Sequence, residues 1–234
     1  MIIDFCAHCG PDEVAKTAYN AMNKGCFEPS KIRGLADDAG IEWSVVAGIE
    51  EPLYGLVNFA RISPSSREIA ILKAAGMRIF PTYERWDFDS RSSDEILSIA
   101  QDRGLIVQVC LRLQDPRVLR QSVTSNDALK ALSDVVKLYG NIKFAVGGAN
   151  LYEIQAHLPL FKRENVWADI AHLQHPVNSL EKLLDVMDSQ KILFATNSPV
   201  FYPKTAVFRV VNSKISDDIR ERILWKNARG LLDA

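Results

Sequence analysis

The chain of 234 residues contains no apolar run approaching the roughly 20 residues that cross a bilayer, and none of its segments reads as a membrane span. It has no surplus of charge: 28 basic residues stand against 29 acidic ones, for a net charge of -1. A nucleic-acid backbone or an anionic membrane surface is therefore not an expected partner. Cysteine is sparse, with four residues, too few for the disulfide framework of a small secreted domain, and reduced thiols are expected. The start, Met1-Ile2-Ile3-Asp4-Phe5, has neither the apolar core nor the preceding basic segment of a secretory leader, so the expected location is the cytoplasm. A glycine-rich dinucleotide fingerprint after the first apolar run is missing too, which speaks against an open doubly wound sheet.

What is present is ordinary globular composition, 47% apolar and 24% charged, with a regular alternation. Eight short β-branched or aromatic runs recur: Ile2 to Cys6, Trp43 to Ala47, Leu56 to Ala60, Met77 to Pro81, Leu105 to Leu111, Ile142 to Val146, Val166 to Ile170 and Ile192 to Thr196. Between most of them lie segments of helical period: Pro11–Lys24, Pro29–Ala39, Ser66–Ala75, Ser92–Arg103, Asn126–Tyr139, Leu151–Leu160 and Asn178–Ser189. Pro64-Ser65-Ser66 and Ser92-Ser93-Asp94 suit helix starts, and Gly40, Gly76, Gly104 and Gly140 suit helix ends. Pro203 to Val211 and a capped helix over Ser216 to Asp233 follow the last strand. Strand and helix alternate without a linker, which predicts an α/β chain folded as a single compact (β/α)8 barrel over residues 1–234. Only Gly48 to Gly55 separate the second and third strands, so a crossover helix is expected to be trimmed there.

In such a barrel chemistry belongs at the C-terminal strand ends. Cys6 and His8 are spaced i, i+2, which puts two metal-capable groups on one strand face. Cys110 and Arg112 end the fifth strand, and Arg112 is a candidate clamp for a substrate carboxylate, with Asp115 as an alternative partner. His172 and His175 follow the seventh strand. Either offers an imidazole that titrates near neutral pH, the competing reading being a loop histidine satisfied locally. Arg61, Tyr83 and Asp169 also stand at strand ends, as substrate contacts or as structural residues of the mouth. Cys6-Ala7-His8-Cys9 contains a Cys-x-x-Cys spacing, weak as a redox signal because it ends a strand rather than opening a helix.

The motif Met1-Ile2-Ile3-Asp4-Phe5-Cys6-Ala7-His8 resembles the opening of the amidohydrolase superfamily, in its amidohydrolase-related branch, where strand one carries Asp-Phe-His-Ala-His. Ile192-Leu193-Phe194-Ala195-Thr196-Asn197-Ser198-Pro199 resembles that branch's strand eight, and Ser216 to Leu232, with Asn227-Ala228-Arg229, its closing helix. Asn58 to Pro64 and Gly147-Gly148 fit the same template. The departures lie at ligand positions: Cys6 replaces the first histidine, Ala145 and Cys110 stand where relatives place histidines, and Asn197 replaces the aspartate that binds metal and activates water.

The resemblance implies a hydrolase acting on a small, carboxylated molecule at the barrel mouth, with lactonase or decarboxylase chemistry as related outcomes. An amide cannot take a proton from water near neutral pH, so Asn197 occupies the catalytic position without the catalytic base. A thiolate does bind zinc, so His8 and Cys6 are the expected ligands if a divalent metal, zinc foremost, is kept. If metal is lost, Arg112 is expected to fix an anionic substrate and His172 to carry the proton, with Arg61, Tyr83 and Cys110 around the substrate. The alternative is an inactive barrel kept as a ligand-binding or assembly module, and a homo-oligomer is compatible with either.

Overall fold

The computed structural model of the protein describes residues 1–9, 27–49, 53–64, 74–113 and 122–233. Eight parallel strands follow one another in sequence order: β1 (Ile3–Asp4), β2 (Trp43–Ala47), β3 (Leu56–Arg61), β4 (Gly76–Ile79), β5 (Ile106–Cys110), β6 (Lys143–Gly147), β7 (Val166–Asp169) and β8 (Ile192–Leu193). The sheet closes where Phe5 N donates to Phe194 O at 2.8 Å, Asn197 N to Cys6 O at 2.8 Å and His8 N to Ser198 O at 2.7 Å. Asp4 staples the same seam, its carboxylate accepting from Cys6 N, Thr196 N and the Thr196 hydroxyl. The expected (β/α)8 barrel is the observed fold.

The helices are α1 (Pro29–Asp38), α2 (Pro81–Glu84), α3 (Arg91–Asp102), α4 (Ser125–Leu138), α5 (Leu151–Ala156), α6 (Leu158–Phe161), α7 (Ser179–Leu184), α8 (Pro203–Asn212), α9 (Asp217–Glu221) and α10 (Asn227–Leu232). Their starts are written locally: Ser90 and Thr124 accept from the backbone N–H three residues on, and Asn150 with Glu153 forms a reciprocal capping box. Between β2 and β3 the described residues hold a turn and no helix, and the Asn58 amide ties the link back by bonding both Ile49 N and Ile49 O. The expected Pro11–Lys24 helix and most of Ser66–Ala75 lie outside the described residues.

Some boundaries differ from the pattern reading for physical reasons. The fourth strand runs Gly76–Ile79, and Pro81 begins α2 instead of ending the strand. Gly76 is not a helix end: a Cβ there would lie 2.6 Å from Ile106 O and 2.8 Å from the Phe59 ring, so only glycine lets β4 approach its neighbours. The Leu151–Leu160 segment breaks at His157 into α5 and α6, because Pro159 has no N–H to continue the first helix. A π-helical turn over Arg222–Lys226 joins α9 to α10, where Ile223 O receives Phe194 N at 3.1 Å, while Asn227 Nδ2 donates to Ile192 O at 2.8 Å. That turn docks α9 and α10 onto β8.

Inside the barrel the alternation of strand side chains builds layers. Ile106 packs in an apolar layer with Ile3, Phe5, Phe59 and Leu193, whereas Cys110 packs in a second layer with Cys6, Phe80 and Ala195. Between the two on β5 is Gln108, and between Gly76 and Phe80 on β4 is Arg78, which is 1% exposed. Arg78 Nε donates to Gln108 Oε1 at 2.6 Å, Nη1 to Ala7 O at 2.7 Å and Nη2 to Val45 O at 3.0 Å. Gln108 Nε2 passes the connection on to Phe5 O at 2.6 Å. One guanidinium thus joins β4 to β2, to β5 and to the end of β1.

Arg78→Met should destabilise the barrel strongly, since the Ala7 and Val45 carbonyls and the Gln108 amide lose their donor, at about 1–3 kcal/mol for each buried group left unpaired. Urea unfolding followed by circular dichroism measures the loss; a change below about 1 kcal/mol would show that the guanidinium is not the tie between these strands.

Candidate functional site

Cys6, His8, Cys110, Asn197 and His172 meet in the upper layer of the barrel, all at least 95% buried. Cys6 Sγ lies 3.6 Å from His8 Nε2 and 3.9 Å from Cys110 Sγ. Asn197 sits in the left-handed region at φ 56°, which asparagine tolerates better than most residues. Its amide spans two imidazoles: Oδ1 is 2.6 Å from His8 Nε2, and Nδ2 is 3.4 Å from His172 Nε2 and from Leu113 O. His172 in turn stands edge-on to Phe201, with ring centroids 5.1 Å apart.

The donors and acceptors fix the tautomers. Arg78 Nη1, which can only donate, lies 3.4 Å from His8 Nδ1, so that nitrogen accepts and Nε2 carries the proton to Asn197 Oδ1. Asn197 Nδ2 is a donor, so His172 Nε2 keeps its lone pair. Cys6 is pushed well above the usual thiol range, first by its contact with Cys110 and then by burial. Cysteine, histidine and asparagine are therefore together here without forming a nucleophilic triad. Thiol and amide contact the same histidine nitrogen, and that nitrogen has no lone pair to take the thiol proton.

The same chemistry decides what the cluster offers a cation. The pair expected to hold zinc, Cys6 and His8, is brought together, but with His8 Nε2 turned to the Asn197 amide oxygen, where relatives are expected to have a carboxylate. Among the described residues no three His, Cys, Asp or Glu groups stand so as to hold an ion. Among the described residues the donor set as folded does not fit a resident divalent metal. Ala145 packs lower down, with Ile3, Phe5 and Ile106. Cys9 belongs to another cluster, with Ile32 and Val46, where burial pushes it up to about 12, so the Cys-x-x-Cys spacing does not bring two thiols together.

Other expected site residues hold the mouth in shape. Arg112, expected to clamp a substrate carboxylate, clamps Glu153 of its own chain through both Nη atoms and also donates to Gly148 O at 2.8 Å and Ser125 Oγ at 3.0 Å. Its alternative partner, Asp115, lies outside the described residues. Gly148, at φ 82°, admits this packing, because a Cβ would meet Arg112 N at 2.7 Å. Arg61 pairs with Glu84 and lies over the Phe80 ring, and Tyr83 accepts from Leu113 N at 3.0 Å. His175 is exposed. Arg78, Gln108 and Asp4 were not singled out from the sequence, although a charged or amide side chain inside an apolar strand run, as in Met77-Arg78-Ile79-Phe80, was the available signal.

Asp169 closes β7 next to Gly147, and it is a buried acid rather than a ligand. Its Oδ1 accepts from Ala171 N at 3.1 Å and Gly148 N at 3.4 Å, while Oδ2 has no hydrogen-bond partner among the described residues. Burial raises its pKa from 3.8 to about 7. A raised carboxyl favours folding fully below its unfolded value and loses that contribution as pH climbs through the folded value. Asp169→Asn, a neutral isostere, should therefore unfold at higher denaturant than the parent at about pH 8.5 and lose that advantage by about pH 4. Paired denaturant titrations at the two pH values check this, and an advantage independent of pH would contradict it.

No curated protein sequence matches the chain. Among solved structures it superposes on 5-carboxyvanillate decarboxylase from Sphingomonas paucimobilis with a TM-score of 0.76 at 11% identity, covering 99% of this chain and 98% of that one. It superposes on 2,6-dihydroxybenzoate decarboxylase from Rhizobium at 0.75 and 12% identity, covering 99% and 98%. A dihydroxybenzoic acid decarboxylase from Polaromonas sp., solved with bound manganese and the inhibitor 2-nitroresorcinol, gives 0.75 at 15% identity, covering 99% and 96%. At these identities the likeness is one of fold. Membership is carried by the sequence itself, since the amidohydrolase profile matches residues 55–234, from β3 through the closing helix, and the chain belongs to the amidohydrolase family.

Proposed function

We propose that this protein is a hydrolase of small carboxylated molecules that works at the barrel mouth without a resident divalent metal. The observation that carries the reading is the Asn197 amide held between two imidazoles, His8 through Oδ1 at 2.6 Å and His172 through Nδ2 at 3.4 Å. Where an aspartate would serve as ligand and base, this chain has a neutral bridge that orients two neutral rings. His172 Nε2 turns its lone pair towards Asn197 Nδ2 across 3.4 Å, a contact in which a water can take the place of the amide. His172 takes the proton from an attacking water and returns it to the leaving oxygen or nitrogen as the C–O or C–N bond of the tetrahedral intermediate breaks. Asn197 Nδ2, released from that contact, then donates to the oxyanion that forms on the attacked carbonyl. Arg78, buried beneath His8, supplies a fixed positive charge that favours the developing anion. Ester, lactone and amide bonds all satisfy this scheme. The decarboxylase relatives motivate testing aromatic carboxylic acids alongside them.

A ligand-binding barrel is the second reading, favoured by the burial of the whole cluster and by the full engagement of Arg112 with Glu153. Turnover separates the two. Protein purified without chelator should contain no stoichiometric zinc or manganese and should turn over members of a panel of carboxylated esters, lactones and amides in the presence of a chelator. His172→Gln should lower kcat by about 100-fold or more while leaving the circular dichroism spectrum unchanged. Stoichiometric metal that is lost in Cys6→Ser would overturn the metal-free scheme, and saturable binding without any turnover would establish the binding barrel.

The loss of the ligand set predicts its own reversal. The double variant Asn197→Asp and Cys6→His should raise zinc affinity by about tenfold or more, because a carboxylate and an imidazole replace an amide and a neutral thiol beside His8. Competition with a chromogenic chelator measures it; unchanged affinity would show that these two positions are not vacated ligands.

A further inference from the structure

Beside the cluster, across Val200 and Phe201, is a cavity of about 400 Å³ whose walls include Ala171, Phe201, Ala206, Thr205 and Arg209. Arg209 projects from α8, and its guanidinium makes one hydrogen bond among the described residues, Nη1 to Ile170 O at 3.1 Å. The contrast with its neighbours at the mouth is sharp, since Arg61 holds Glu84 and Arg112 holds Glu153. Arg209 has no carboxylate partner among the described residues, and burial pulls its pKa below the usual arginine value. A guanidinium has five N–H donors. With a single carbonyl acceptor, the half-buried guanidinium keeps donors available to an anion in the cavity it lines.

The cavity's other walls limit what that anion is attached to. Ala171, Val200, Phe201 and Ala206 give it apolar wall and Gln174, Thr196, Tyr202 and Thr205 polar wall, and a volume of about 400 Å³ lies at the small end of ligand sites, enough for one ring or a short branched chain. Phe201, which stands edge-on to His172, is one of these walls, and Ala171 precedes His172 in the chain.

We propose that Arg209 is the carboxylate-recognition residue of this protein, and that the cavity it lines takes a small monocarboxylate with an aromatic or branched apolar body, held by the guanidinium fork and directed past Phe201 towards His172. The assignment of this occupant as substrate rests on the hydrolase reading above; the carboxylate site itself does not.

Calorimetric titration of the full chain with benzoate, and with benzamide as its uncharged isostere, tests the site apart from catalysis. Benzoate should bind saturably and benzamide about tenfold more weakly or not at all, with the preference lost in Arg209→Met and reduced in Arg209→Lys, which keeps the charge without the fork. Because Arg209→Met also removes the bond to Ile170 O, the parent protein supplies a second readout: the Arg209 Nε–H resonance, identified by its disappearance in Arg209→Lys, should shift on benzoate addition. An unmoved resonance, or equal binding of benzoate and benzamide, would overturn the carboxylate site. Benzoate binding at Arg209 together with no hydrolysis of any panel member would uphold the site and overturn the hydrolase reading.

Discussion

A guanidinium in the middle of a barrel must have its donors met, because water is not there to meet them, and the way Arg78 meets this requirement shapes the rest of the interior. It reaches backbone carbonyls at Ala7 and Val45 and the side chain of Gln108, which itself reaches Phe5. These bonds separate two apolar layers and join β4 to three other parts of the barrel. They also present Nη1 to His8 Nδ1, and so set which nitrogen of His8 carries the proton. Structure and chemistry meet in this one side chain: the tie that spans the interior also decides that His8 faces Asn197 as a donor.

From that tautomer the character of the site follows. A histidine that donates through Nε2 is not poised to bind a cation with it, and Asn197 accepts that proton where an aspartate would compete for both proton and metal. The neutral Cys6 thiol fits the same picture, held up by Cys110 and by burial. The amide of Asn197 and the neutral thiol of Cys6 are therefore consistent with one another, since both contact His8 Nε2, whose other nitrogen faces the Arg78 guanidinium.

Much of the architecture was legible in the sequence. All eight apolar runs became strands, and the trimmed β2–β3 link was visible as a span too short for a crossover. Cys6, His8, Cys110, Asn197 and His172 were recognisable from their places at strand ends, and they do converge. Arg112 was legible as a carboxylate clamp but not whose carboxylate it clamps, since Glu153 is 41 residues away in sequence and meets it only because α5 begins with a capping box. Arg209 carried no sequence signal at all. Its significance comes from having a backbone carbonyl and no carboxylate as partner among the described residues, which only the packing of α8 against the end of β7 makes visible.

The sequence by itself determined the barrel, the order of its strands and the residues at its mouth, because periodicity, turn residues and strand-end positions are local properties of the chain. The tertiary structure decided their chemical states. Protonation, tautomer and availability for a ligand depend on which groups from distant strands come within hydrogen-bonding distance and on how much water remains, and neither is encoded in the neighbours of a residue along the chain.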